Sequence, residues 1–327
     1  MQSHSRLSDK ERIFLAANVL NADDSVKELA RRSGLSQHAT RHARDSLLRR
    51  GIITPIYHID HFALGYLDVT TFFNRGAESS AGQKRLEKTV MTHSRVMGLN
   101  RMGGGYRYML WLWAQQIHEV DELFTLLRPA EAGAHFEKTV RIAIDWSVFN
   151  PLYLSPSSHK RESIHLTSKT PVRALDDTDG RILEFLSGNP DTSLQGIARA
   201  MAMSASSIQY RIDKLTEQRI IRGKIYVLRT DKIGVQTYRL LLVDRGMSPD
   251  QKKLLYKMIA LCPNVVAAIS CTGNWDFELR FETENSRELD TFCQSLYDTF
   301  GPAIDSVKII QQFETLKRIS YPQRLVS

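Results

Sequence analysis

The chain carries the same architectural statement twice, 168 residues apart, and nothing else in it constrains the fold so strongly. Leu29-Ala-Arg-Arg-Ser-Gly-Leu-Ser36, followed by a basic segment that closes on Leu47-Leu-Arg-Arg-Gly-Ile-Ile53, returns as Ile197-Ala-Arg-Ala-Met-Ala-Met-Ser204 through Leu215-Thr-Glu-Gln-Arg-Ile-Ile221. Without a gap, Leu7 meets Leu175, Asp9 meets Asp177, Ser25 meets Ser193 and Ser36 meets Ser204. Further on, Gly104-Gly-Tyr-Arg-Tyr-Met-Leu-Trp-Leu112 lies over Gly273-Asn-Trp-Asp-Phe-Glu-Leu-Arg-Phe281. A repeat of this length is a duplicated set of domains, not a solenoid unit. It implies a small helical head at 1–58 with a larger body at 59–150, and a second head at 175–228 with its body at 229–327. The intervening 151–174, rich in Pro, Ser and basic residues, reads as a linker with a docked strand at Ile164 to Thr167.

Charge is concentrated in the heads. The net charge is +8, and Lys27 to Arg50 holds seven Lys/Arg against two acids, Arg199 to Lys224 six against two. A polyanion is the expected partner, and the heads are where a phosphate backbone would bind. An apolar fraction of 42% excludes a disordered chain. The N-terminus shows no signal-peptide core and no segment has the length of a membrane span, so a cytoplasmic location is expected. Cys262, Cys271 and Cys293 are few and odd in number, which argues against a disulfide framework and a zinc site; no metal or cofactor is expected.

Each head reads as three helices followed by a short wing. Ser8-x-x-Glu11, Ser25-x-x-Glu28 and Thr192-x-x-Gln195 have capping-box spacing, and Ser36 and Ser204 are placed to cap the third helices after a tight turn. That is helix-turn-helix spacing. In the second head Ile208, Ile212 and Leu215 pack inward, leaving Ser206, Ser207, Gln209, Tyr210, Arg211 and Lys214 on the polar face for base edges and phosphates. In the first, Ala39, Ala43 and Leu47 form a thinner stripe and Arg44 stands where Ile212 is. Its outward groups are expected to be Gln37, His38, Thr40, Arg41, His42 and Arg44. Ile52 to Ile59 and Ile220 to Leu228 read as wing strands, with Arg222 and Lys224 available for phosphate.

The bodies alternate strand and helix signals in the order βαββαβ, the ferredoxin-like pattern. Strands and helices are expected at Tyr66 to Asn74, Ala81 to His93, Val96 to Met102, Tyr108 to Ala114, His118 to Leu127 and His135 to Ile144. In the second half they fall at Thr237 to Val243, Pro249 to Leu261, Val265 to Cys271, Asp276 to Glu282, Ser286 to Phe300 and Ile304 to Glu314. Phe277, Leu279 and Phe281 alternate with Asp276, Glu278 and Arg280, whereas Tyr108, Leu110 and Leu112 alternate with Met109, Trp111 and Trp113. The first body therefore has two apolar faces; the extra one reads as an interface with another body, or alternatively as a ligand pocket.

On these residues the chain resembles the Lrp/AsnC, or feast/famine, family of transcription regulators in two tandem copies. The resemblance rests on Leu175-Asp-Asp-Thr-Asp-Gly-Arg-Ile-Leu183, on Met203 through Leu215, on Ile220-Ile221, and on Thr272-Gly-Asn-Trp-Asp-Phe277. It implies an α+β fold of helix-turn-helix heads and ferredoxin-like domains, double-stranded DNA as partner, and a homo-oligomer. It also implies an amino acid or other metabolite as effector, for which Thr272, Gly273, Trp275 and Asp276 match the family's glycine-aromatic-aspartate turn. The first half keeps only Gly105 and Tyr106 before Arg107. Siroheme decarboxylases, which use a similar head-plus-body fold, supply an alternative in which Tyr106 to Trp113 would line a tetrapyrrole site. Met97-Gly-Leu-Asn-Arg-Met102 lacks their His-Asn-Tyr type segment, so a non-enzyme is expected. His38 with His42, and His58 with His61, have no metalloprotease glutamate and read as surface residues, while Asp23-Asp24 and Asp176-Asp177 read as helix caps.

Overall fold

The computed structural model of the chain describes residues 5–75, 80–128, 136–155 and 160–322. His135, residues 156–159 of the expected linker and residues 1–4 lie outside the described residues. The first head is α1 (Asp9–Asn18), α2 (Val26–Ser33) and α3 (Gln37–Arg49), and the second is α6 (Asp177–Gly188), α7 (Leu194–Met201) and α8 (Ala205–Glu217). Caps set the starts. Ser8 and Glu11 form the full capping box on α1, whereas Ser25 caps α2 alone because Glu28 turns to Arg31. The cap of α7 is Ser193, which accepts from the Gly196 amide, one residue after the expected Thr192.

The first body contains β2 (Leu67–Asn74), α4 (Ser80–Thr92), β3 (Val96–Met102), β4 (Tyr108–Ala114), α5 (Ile117–Leu127) and β5 (Glu137–Phe149). The second contains β8 (Gln236–Asp244), α9 (Pro249–Leu261), β9 (Val265–Gly273), β10 (Phe277–Thr283), α10 (Ser286–Phe300) and β11 (Ile304–Arg318). Strands run β5-β2-β4-β3 in the first and β11-β8-β10-β9 in the second, the same ferredoxin-like order. The registers are antiparallel, for example Val69 opposite Leu112 and Leu279 opposite Leu240. Both closing strands outrun the sequence expectation, β5 ending at Phe149 instead of Ile144 and β11 at Arg318 instead of Glu314. In the linker the docked strand is β6 (Ser163–Thr167).

The chain folds into two compact units that do not coincide with its two halves. One comprises Met1–Pro55, Ile144–His165 and Lys224–Phe313; the other comprises Ile56–Ala143, Leu166–Gly223 and Glu314–Ser327. Each unit thus combines the head of one half with the body of the other. In the first unit the Asn150 amide group donates to the Ala16 carbonyl at 2.8 Å, Arg12 pairs with Glu284 at 2.6 Å, and the Tyr226 amide donates to the Val19 carbonyl. In the second, Ile182, Leu183, Leu186, Ile208 and Leu215 of the head form one core with Ile59, Ala63, Met97 and Trp113. Burying each of the Ile, Leu and Met side chains among these stabilises by about 1.5–3 kcal/mol. Cover for part of the first body's aromatic face therefore comes from the second head.

Wings likewise exchange partners. Within the first unit the Arg229 amide, just after β7 (Ile221–Leu228), donates to the Ile52 carbonyl just before β1 (Ile53–Ile59). Within the second, the Asp60 amide donates to the Ile220 carbonyl. The wing strand expected after each head is present, and its partner is the wing strand of the other head: β1 pairs with β7. The glutamates that alternate along β10 are also not solvated. Glu278 is fully buried against Arg239 at 3.2 Å, and Glu282 accepts from the Tyr153 hydroxyl at 2.9 Å.

Candidate nucleic-acid interfaces

Both recognition helices are built by the same local rules. Ser36 Oγ accepts from the Ala39 amide at 3.2 Å and Ser204 Oγ from the Ser207 amide at 3.1 Å, so each helix begins where the sequence placed it. The turn before each helix needs a left-handed residue, and Gly34 (φ 69°) and Ala202 (φ 54°) supply it at matching positions of the repeat. In the second head Ile208 and Leu215 are buried and Ile212 packs against the same core. In the first, the buried set is Thr40, Ala43 and Leu47. Thr40 is the counterpart of Ile208, so the helix phase is conserved between the heads. Thr40 consequently faces the core, not outward as expected, with no exposed surface.

The outer faces differ in how committed their side chains are. Gln37, His38, Arg41 and His42 are exposed on α3, and Ser206, Ser207, Gln209 and Tyr210 are exposed on α8. Gln209 donates to Asp213 at 2.7 Å. Arg44 is partly buried and pairs with Asp45 at 3.1 Å. Arg211 is held more firmly: its Nη1 lies 2.7 Å from Asp176 and 2.6 Å from Asp179, and Lys214 stands 3.5 Å from the other Asp179 oxygen. Hydrogen bonding from Arg211, then from the Asp179 amide, holds the Asp176 carboxyl below the usual range. In the wing, Arg222 lies 3.4 Å from the buried Asp60, and the Lys224 amide donates to Asp23. The acids that engage Arg211 and Arg222 were not legible in the sequence, because each lies far away along the chain; Asp176 was visible only as a cap, which it also is.

The four residues of the expected effector turn are fixed chiefly by backbone. Thr272 and Gly273 are exposed and Trp275 is buried. Asp276 accepts from the Asp244 amide at 2.8 Å and donates its own amide to Leu242, while Cys271 donates to the Asp276 carbonyl. Asp244 in turn accepts from the Gly246 and Met247 amides and pairs with Lys252 at 2.9 Å. In this structure the aspartate clamps the turn.

His58 and His61 correct the surface reading of those residues, since both are buried. Burial pushes the His58 imidazole down to about 3, with further depression from His61, Arg222 and Arg318. His61 stacks on Trp113 with ring centroids 5.0 Å apart and lies 3.5 Å from Asp68, which pairs with Arg141 at 2.6 Å. Among the described residues no group of His, Cys, Asp and Glu could hold a metal ion, and no helix is long and apolar enough to cross a membrane.

Comparison with known proteins meets this geometry at the second head. Residues 175–222 match the model of a winged helix-turn-helix DNA-binding family. A transcriptional regulator of Mycobacterium tuberculosis is 30% identical over 124 residues, covering 37% of this chain and 82% of that protein. The transcriptional regulator Zrp of Zymomonas mobilis is 28% identical over 123 residues, covering 37% and 80%. The regulatory protein AsnC of Haemophilus influenzae is 24% identical over 148 residues, covering 45% and 93%. One solved structure, that of the siroheme decarboxylase NirDL, superposes over 97% of this chain and 94% of its own with a TM-score of 0.56. At 12% identity that likeness concerns the fold alone.

Proposed function

Since the chain belongs to the Lrp/AsnC family of helix-turn-helix transcriptional regulators, we propose that both of its heads read double-stranded DNA in a sequence-specific way. The observation that carries this reading is the pair of recognition helices, capped identically and each presenting exposed polar side chains. Gln37, His38, Arg41 and His42 in the first head, and Ser206, Ser207, Gln209 and Tyr210 in the second, are the groups available to base edges. Arg44, Arg211, Lys214, Arg222 and Lys224 supply positive charge for phosphates, and Arg211 must exchange carboxylate for phosphate to do so. Because the heads carry different outer side chains, the operator is an imperfect repeat.

A homo-oligomer and an amino-acid effector at the Thr272 to Asp276 turn are further parts of the proposal, resting on the family. An enzymatic reading has less support. Trp113, on the strand that would line a tetrapyrrole site, is packed into the core of the second head.

Selection of sheared genomic DNA on the purified chain at two salt concentrations tests the reading, with an absorbance spectrum of the same preparation. Enrichment of a spaced, imperfect inverted motif that survives the higher salt is expected. Absence of enrichment together with a Soret band would replace this reading by the decarboxylase one.

A further inference from the structure

Two arginines of the first head have no counterpart in the second. Arg12 on α1 and Arg32 on α2 stand where the repeat puts Gly180 and Ala200. Each reaches an acid outside its own head. Arg12 forks onto Glu284, just past β10, with Nη2 2.6 Å from one carboxylate oxygen and Nη1 3.0 Å from the other. Arg32 gives its Nε to Asp24 of its own head at 2.9 Å and its Nη1 to Glu162 of the linker at 2.5 Å. The second Glu162 oxygen accepts from the Asn21 side chain at 2.9 Å. Glu162 stands on a fixed base, because its amide donates to the side-chain oxygen of the buried Asn150 at 2.8 Å, and Asn150 donates in turn to the Ala16 carbonyl. Within the first unit, two helices of the head are thus tied by charge to residues outside it. The four side chains are 25–41% exposed, so water competes for each pair and the tie is reversible.

We propose that Glu162 and Glu284 are positioning residues for DNA reading. They seat the first head in one orientation, and the chain therefore selects operators by the spacing of their half-sites as well as by sequence. This rests on the reading that both heads bind DNA. An operator whose spacing suits the seated head is bound without rearrangement. At any other spacing the two heads engage together only if the first one leaves its seat, and the two ion pairs oppose that step by a factor of about 10. Removing both acids lifts that penalty and leaves the well-spaced operator as it was. Misspaced operators then gain affinity, the reverse of an ordinary loss of function.

The test compares the full wild-type chain with Glu162→Ala/Glu284→Ala, a pair of changes outside the head that spares every cation and both recognition helices. Fluorescence anisotropy is read on a selected operator, on versions with base pairs inserted or removed one at a time between the half-sites, and on a duplex carrying the first half-site alone. The variant should bind the selected operator and the lone half-site within about twofold of wild type, and misspaced operators about 10-fold more tightly than wild type does. An unchanged spacing profile overturns the proposal. So does a uniform gain at every spacing, which is the plain electrostatic result of deleting two negative charges. Loss of binding to the lone half-site overturns it as well, since the pairs would then support the fold of the head and not its orientation. Seating is also read without DNA, by hydrogen exchange of the Ala22 and Tyr226 amides, which bond to the Lys224 and Val19 carbonyls across the edge of the head. Exchange about 10-fold faster in the variant is expected, and equal exchange overturns the clamp. A wild-type chain that binds no duplex, with faster exchange still seen in the variant, marks failure of the DNA reading and of the positioning role with it, while the clamp stands.

Discussion

Replacing Arg211 by alanine should damage the head before it damages recognition. The Asp179 side chain is 2% exposed, and its carboxylate is served by Arg211 at 2.6 Å and by Lys214 at 3.5 Å. Removing one partner of a buried ion pair costs about 3–5 kcal/mol when nothing replaces it. Here Lys214 remains and Arg211 itself is one-quarter exposed, so water can enter the vacated space. The expected cost of Arg211→Ala is therefore about 2 kcal/mol. Asp179→Asn in the Arg211→Ala background removes the uncompensated charge and should return about half of that loss. The assay is chemical denaturation followed by far-ultraviolet circular dichroism, run as a double-mutant cycle. Asp176 gives a second signal, since its carboxyl should titrate nearer the ordinary range once Arg211 is gone. The sign is that of a depressed carboxylate: the stabilisation is present above the ordinary carboxyl range and is lost as pH falls through the folded-state value. Arg211→Ala within about 0.5 kcal/mol of wild type, with an unmoved Asp176 titration, would refute the reasoning.

Three other outcomes follow from the packing. Thr40 is fully buried and its hydroxyl reaches no hydrogen-bond partner among the described residues, so Thr40→Val should raise the melting point by stabilising the first head by about 1 kcal/mol. His58 is neutral when folded because burial lowers it from 6.5 to about 3. Below pH 6.5 the unfolded chain takes up a proton that the folded chain refuses, so stability should fall by about 1.4 kcal/mol per pH unit toward pH 3, and His58→Gln should flatten that slope in denaturation titrations. A Cβ at Gly98 would meet Trp111 Cε3 at 2.5 Å; Gly98→Ala should cost about 1–3 kcal/mol, read as a lower denaturation midpoint.

Element types were legible because each rests on a local rule. Serine caps, the left-handed turn position and the period of Ile208 and Leu215 lie within a few residues of what they determine, and the α9 and α10 boundaries match the sequence expectation to the residue. The aromatic alternation of β4 signalled a second buried face, but its partial cover by the second head was not legible, because Met97 and Trp113 meet Ile182 and Leu183 across long stretches of chain. The same holds for the candidate interface. Periodicity predicted which α8 side chains face outward, yet could not show that Asp176 and Asp179 hold Arg211. Thr40 was misplaced by its polarity, although the repeat had set it opposite Ile208. His58 was misjudged because it lies on β1, which pairs with β7 from the other half of the chain, and His61 because it packs on Trp113 and Asp68, neighbours that spacing along the sequence does not reveal.

The claim that one chain carries two DNA-reading heads is tested most directly by hydroxyl-radical footprinting on a selected operator, comparing wild type with Arg41→Ala in the first head and Tyr210→Ala in the second. Wild type should protect two patches on one face of the duplex, separated by about 10 base pairs or a multiple of it, and each variant should weaken one patch. A single patch indifferent to one of the two substitutions, or no protected patch at all, would contradict the account.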